Sequence, residues 1–240
     1  MKCVVVCMLL KNIRTSQLED IGIVKGQKVC LVGSSGVLVG KELGGDIDKY
    51  ECVVRMNSAC IGGFEKDVGG SCNYRVVAYK SLLDGKDNDF FRVLGRLGLS
   101  ADCKLLFWGP RNHVVQVQRK LMILAQEFPN VAMYDIGEDF LKGCDNVYTR
   151  FTGAPRFESG AWISTGWITL CLFLGEGCEV DVFGLTGGGK DLYHYWDSSR
   201  GREGIHYGEQ QLGVKGHRFI TEHKIFKEVW PKMFKLRFLL

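Results

Sequence analysis

KVCLVGSSGVLVGKELGGDIDKYECVVRMN, residues Lys28–Asn57, is the stretch around which the rest of the chain is read. Val29, Cys30, Leu31 and Val32 make a short apolar run of the kind a buried strand needs. Gly33-Ser34-Ser35-Gly36 interrupts it, a mixed segment from Val37 to Tyr50 follows, and Cys52-Val53-Val54 begins a second apolar run. A strand that turns through Gly and Ser into a helix leaves backbone N–H groups unpaired at the helix start. Glycines let an anion come close to them, and the helix dipole favours negative charge there. Gly33–Gly36 can therefore be read as a cradle for a phosphate-bearing ligand. It can equally be an ordinary strand-to-helix turn, because short Gly/Ser turns are common in alternating folds.

Outward from this unit, strand-like and helix-like segments alternate. Cys52–Arg55, Tyr74–Tyr79, Lys104–Trp108, Val131–Tyr134 and Glu179–Phe183 read as strands. Asp87–Leu97 and His113–Phe128 carry apolar residues at helical spacing, and Ser164–Leu174 is apolar nearly all round, as a buried helix would be. Trp162 and Trp167 read as core. Gly184–Gly216 is glycine-rich with little periodicity, which predicts a long surface loop. A last helix is expected from about Thr221 to Val229. On the N-terminal side, residues 11–27 read as a polar lead-in, and Cys3–Leu10 as an edge strand or frayed leader too short for a signal peptide. The alternation predicts an α/β protein: one Rossmann-like domain over residues 28–240, with a mainly parallel sheet flanked by helices on both faces.

Composition narrows the function. A 240-residue chain that is 46% hydrophobic can bury a core of ordinary size. A net charge of +4 suits anionic small molecules but lacks the dense basic patch of a nucleic-acid binder, so no nucleic-acid partner is expected. No run of about 18 apolar residues occurs, and no transmembrane segment is expected in this chain. Ten cysteines are many, yet no CxxC pair at metal spacing is present, so neither zinc nor another metal is expected. They fit either disulfides in an oxidising compartment or reduced, buried thiols. A dinucleotide oxidoreductase is disfavoured, because neither G-x-G-x-x-G nor its acidic partner is present in the required form.

Two further groups of residues carry chemistry. Ser164-Thr165-Gly166 opens the buried helix, where its hydroxyls and N–H groups could hold a phosphate or carboxylate, or Ser164 could simply cap the helix. Of five histidines, His113 and His223 fall on predicted helices and read as solvent-facing. His194 lies in Tyr193-His194-Tyr195-Trp196-Asp197. His217 precedes the last helix with Glu222 five residues on, a setting in which an imidazole can act as a general base near neutral pH or serve structure alone.

These stretches together resemble a known family. Cys30 through Gly36, Asp46-Ile47-Asp48, Arg55-Met56-Asn57 and Gly63 through Gly69 resemble the large sialylmotif of animal-type sialyltransferases. Ser164-Thr165-Gly166 through Cys178 and Gly184 resembles the small sialylmotif. His194-Tyr195-Trp196-Asp197 resembles the third motif, and His217-x4-Glu222 the very small one. Trp108 through Asn112, Ser159-Gly160, Ser164 through Trp167, Tyr193-His194-Tyr195 and His217 through Glu222 are most similar to the alpha-N-acetylgalactosaminide alpha-2,6-sialyltransferases.

The resemblance implies a sialyltransferase variant of the GT-A-like fold that needs no cofactor. It implies a CMP-sialic acid donor, a glycoprotein or glycolipid acceptor and a membrane-anchored protein of the Golgi lumen. Ser34, Ser35 and Asn57 would hold the nucleotide, and Ser164, Thr165 and Gly166 would complete the donor pocket. His194 would stabilise the phosphate, and His217 would take the acceptor's proton. A disulfide would join Cys30 to Cys178, which stands one residue off the usual spacing, with Cys171 as the weaker alternative partner. A nucleotide-sugar-binding protein without activity is the alternative. Acceptor choice is expected in loops at Asp84–Asp89 and Asp197–Lys215.

Overall fold

The computed structural model describes residues 8–83, 90–155, 161–186, 191–202 and 216–240. Its centre is a nine-stranded sheet in the order β13-β9-β3-β4-β5-β6-β7-β1-β2. In chain order the strands are β1 (Leu9–Asn12), β2 (Leu18–Asp20), β3 (Lys28–Val32), β4 (Cys52–Met56), β5 (Tyr74–Ala78), β6 (Lys104–Trp108), β7 (Met133–Asp135), β9 (Glu179–Phe183) and β13 (Leu236–Phe238). From β13 to β7 every pairing is parallel, and β1 and β2 close one edge as an antiparallel pair. The polar lead-in thus supplies edge strands of the sheet. Two small pairs lie outside it: β8 (Ala161–Trp162) with β12 (Gly216–His217), and β10 (Leu192–His194) with β11 (Asp197–Arg202).

Parity along the strands assigns the two faces. Val29, Leu31, Val54, Val76 and Leu106 enter one core, covered by α4 (Glu138–Thr152), α5 (Thr165–Gly175) and the C-terminal helical segment through Trp230. On the opposite face, Val77, Leu105 and Phe107 pack under α3 (Arg111–Glu127), while Cys30, Val32 and Val53 pack under the short turns α1 (Gly44–Ile47) and α2 (Glu65–Val68). The strands are apolar on both sides because both faces are covered, as a parallel sheet requires.

This parity overturns the Cys30–Cys178 disulfide. Cys178 directly precedes β9, whose Glu179 lies opposite Lys28, so it stands level with residue 27. It therefore faces the α4/α5 side, where its thiol reaches the Val24 carbonyl at 3.6 Å, whereas Cys30 enters the opposite core. Both residues are free thiols on different sides of the sheet.

The order of the sheet also fixes where a ligand can enter. From β3 the chain steps to β4, β5, β6 and β7 on one side, then returns to place β9 on the other. In open α/β sheets, the crevice beyond the carboxyl ends of the strands at such a reversal is where ligands bind.

Candidate active site

At that reversal, the Gly33–Gly36 turn leaves β3 against Gly184, which leaves β9. The Gly33 N–H donates to the Phe183 carbonyl at 2.7 Å, and the Ser35 N–H to the Gly184 carbonyl at 3.0 Å. A Cβ on Gly33 would lie 2.1 Å from the Gly184 oxygen, so the glycine serves backbone packing. Only a three-residue 3₁₀ turn, Gly36–Leu38, follows, in place of a long helix with its dipole. Ser35 is buried and its hydroxyl accepts from the Val37 N–H at 3.1 Å, capping that turn. Ser34 is the turn residue that keeps exposed surface, and its carbonyl accepts from the Tyr195 N–H at 3.0 Å, tying the β10–β11 hairpin to the turn.

Asn57 terminates β4 in the left-handed region at φ +42, a conformation Asn tolerates better than most residues. Its Oδ1 accepts from the Ala78 N–H at 2.9 Å and the Ser81 hydroxyl at 3.2 Å, and its Nδ2 donates to Thr165 Oγ1 at 3.2 Å. The end of β4 and the start of α5 are thereby joined directly.

Ser164 caps α5, accepting from the Trp167 N–H at 3.0 Å. The Glu222 carboxyl completes the cap: Oε1 takes the Ser164 N–H at 2.9 Å, and Oε2 lies 2.5 Å from the Ser164 hydroxyl. Glu222 sits near the end of α6 (Phe219–Lys224) and is buried. Burial pushes its carboxyl up to about 8, and the two Ser164 bonds only partly oppose this. Ser164 therefore acts as a cap with a carboxyl clamp, Thr165 faces Asn57, and Gly166 packs beneath Leu185.

His217 lies opposite Trp162 in the β8–β12 pair. Its Nδ1 is 2.9 Å from the Trp162 carbonyl. A carbonyl only accepts, so Nδ1 carries the proton, and in the neutral ring Nε2 keeps the lone pair a general base requires. A ladder of rings runs from here across the cleft. Trp162 meets His217 edge-on at 6.1 Å, and His217 stacks on Phe219 at 5.0 Å. Phe219 meets Tyr193 at 6.3 Å, Tyr193 stacks on His194 at 4.6 Å, and His194 on Trp196 at 4.3 Å. The two histidines thus stand on one half-exposed aromatic wall.

A family model described as glycosyltransferase family 29 (sialyltransferase) matches residues 5–232. The chain belongs to this family. Human alpha-N-acetylgalactosaminide alpha-2,6-sialyltransferase 6 is 32% identical over 228 residues, covering 87% of this chain and 66% of the relative. Human alpha-N-acetylgalactosaminide alpha-2,6-sialyltransferase 3 is 31% identical over 222 residues, covering 87% and 71%. The chain thus spans about two thirds of the length of these relatives. A crystal structure of a mammalian sialyltransferase in complex with Gal-beta-1-3GalNAc-ortho-nitrophenol shares the fold, with a TM-score of 0.56 at 18% identity over 94% of this chain and 74% of that one.

Direct contacts bring the four family stretches together: Ser34 with Tyr195, Asn57 with Thr165, and Ser164 with Glu222, while Trp162, two residues before the second stretch, holds His217. Trp167 is core, packed with Tyr148, Phe226 and Trp230. Trp162 is not: it is 43% exposed, with the Lys80 ammonium 4.7 Å over its ring. Nor does His223 simply face solvent, since it is half-buried and its Nε2 donates to the Leu185 carbonyl at 3.0 Å. Sequence reading missed Lys80 and the clamp made by Glu222. The only prior signal for the clamp was the spacing of Glu222 from His217. Ser159-Gly160, Asp84–Asp89, residues 187–190 and residues 203–215 lie outside the described residues.

Proposed function

We propose that the chain transfers sialic acid from CMP-sialic acid to a glycan hydroxyl with inversion, forming an alpha-2,6 linkage to the GalNAc of an O-glycan or glycolipid in the Golgi lumen. The observation that carries this is the hydrogen bond from His217 Nδ1 to Trp162, which orients Nε2 as a base within a chain of this family. In the proposed reaction, Ser34 and Asn57 hold the nucleotide, and the Thr165–Gly166 end of α5 supports the donor while Ser164 keeps that end in place. His194 neutralises the phosphate as the bond to CMP breaks, an electrostatic contribution typically worth about 3–4 kcal/mol for a single well-placed donor. His217 takes the acceptor's proton while its oxygen attacks the anomeric carbon from the face opposite CMP. The exposed indole of Trp162, beside that base, provides a flat apolar surface for the acceptor sugar.

Incubation with CMP-sialic acid and a panel of O-glycan and glycolipid acceptors tests this reading. Acceptor-dependent CMP release with a sialylated product is expected. Intact donor binding without transfer to any acceptor would favour the inactive nucleotide-sugar-binding protein.

A further inference from the structure

Away from the cleft, Cys72 and Cys103 lie at the amino ends of β5 and β6, about one strand length from the catalytic edge. Both are buried, and their sulfurs are 3.3 Å apart. They sit at the starts of hydrogen-bonded neighbouring strands, where Tyr74 lies opposite Lys104. This register puts Asn73 level with Cys103 and Cys72 one residue further back. With strands roughly 5 Å apart and a rise of about 3.3 Å per residue, that diagonal still falls inside the Cα separation a disulfide spans. Beside them lie two fully buried arginines, paired in register on β4 and β5. Arg55 donates to the Ser71, Val68 and Gly69 carbonyls, and Arg75 to those of Asn57, Ala59 and Leu97. Among the described residues neither guanidinium forms an ion pair with a carboxylate, and the Cys72 thiol lies close enough to both arginines to feel their charge. The hydrogen bond from Cys103, aided by both arginines, holds the Cys72 thiol well below the usual thiol range, while the Cys103 thiol is raised.

We propose that Cys72 and Cys103 form the disulfide of this fold, made by exchange with a disulfide-bearing oxidoreductase or glutathione disulfide. The Cys72 thiolate attacks one carrier sulfur, expelling the other as a thiolate and leaving a mixed disulfide on Cys72. Cys103 then gives up its proton, and its sulfur displaces the carrier from Cys72. The two cysteines lose two electrons, the carrier gains them, and both thiol protons end on the reduced carrier. The bridge closes the segment between residues 72 and 103, which includes Lys80 and Ser81, without touching the catalytic groups. It does not depend on the reaction proposed above.

Peptide mapping tests it. The full chain is incubated with glutathione disulfide, denatured, alkylated and digested with trypsin without reduction. A linked pair is expected between Asp67–Arg75 and Leu97–Lys104, with Cys30 and Cys178 alkylated. Recovery of Cys72 and Cys103 as alkylated peptides, or bridged to other cysteines, would overturn the proposal. Reduction should lower the Tm of the oxidised wild type by roughly 5–10 °C and leave a Cys72→Ser/Cys103→Ser variant unmoved. An equal shift in both proteins would place any stabilising disulfide elsewhere.

Discussion

The floor and the wall of the cleft are built on opposite plans. On the floor, Ser35, Asn57, Ser164, Thr165 and Glu222 are buried or half-buried and bonded to one another or to nearby backbone. On the wall, Trp162, His217, Phe219, Tyr193 and His194 are held by ring contacts and stay partly exposed. A polar group satisfied within the protein fixes geometry, whereas a partly exposed imidazole or indole can meet a substrate. The floor should therefore govern stability and donor affinity, and the wall the chemistry and the acceptor.

The largest effect belongs to the wall. His217→Ala should lower kcat by about 10²–10⁴-fold at an unchanged melting temperature. Turnover near wild type would remove His217 from the reaction, and a large fall in Tm would make it part of the floor.

Glu222 gives the next largest, and it concerns stability alone. Its folded carboxyl titrates near 8, against an ordinary value of 4.5 in the unfolded chain. Between those values the folded protein holds a proton that the unfolded chain has released, so rising pH disfavours folding. The contribution is complete below about 4.5 and is lost as pH climbs through about 8. Glu222→Gln, which imitates the protonated clamp, should remove this slope, on the order of 1 kcal/mol per pH unit. Denaturant melts of both proteins from pH 5 to 9 check it, and parallel curves would contradict the clamp.

Asn57→Ala should weaken CMP affinity about tenfold, as expected for losing one or two donor-facing hydrogen bonds. Asn57→Gly, which accepts φ +42 freely, should lose the same affinity with less loss of stability. A smaller change is expected of Trp162→Ala. The carbonyl that orients His217 survives the substitution, so the acceptor KM should rise several-fold while kcat stays within about threefold. An unaltered acceptor KM would leave the indole without the role given to it.

Much of the fold could be read from the chain. The five five-residue strands of the central sheet announce themselves because both their faces are apolar, α3 because its apolar residues match helical spacing, and α5 because it is apolar nearly all round. α4 was missed although Phe140, Leu141, Cys144, Val147, Tyr148 and Phe151 recur at helical intervals, since Gly143 and intervening charges dilute the pattern. β1, β2 and β13 are three or four residues long at the sheet edge, too short for any pattern to emerge. In the site, residue types identified the participants but not their division of labour. A serine after a strand is compatible with a cap or a ligand contact, and only the bonds of Ser35 and Ser164 distinguish them. Trp162 looked like core because its exposure follows from pairing with a strand 55 residues away. The face occupied by Cys178 depends on the register of β9 against β3, which no local pattern records.

CMP binding measured calorimetrically on the wild type, Asn57→Ala and His217→Ala bears most directly on the separation of floor from wall. His217→Ala should bind CMP as the wild type does, while Asn57→Ala binds it about tenfold more weakly. Equal weakening in both variants would show that the imidazole belongs to the nucleotide site, and the separation would fail.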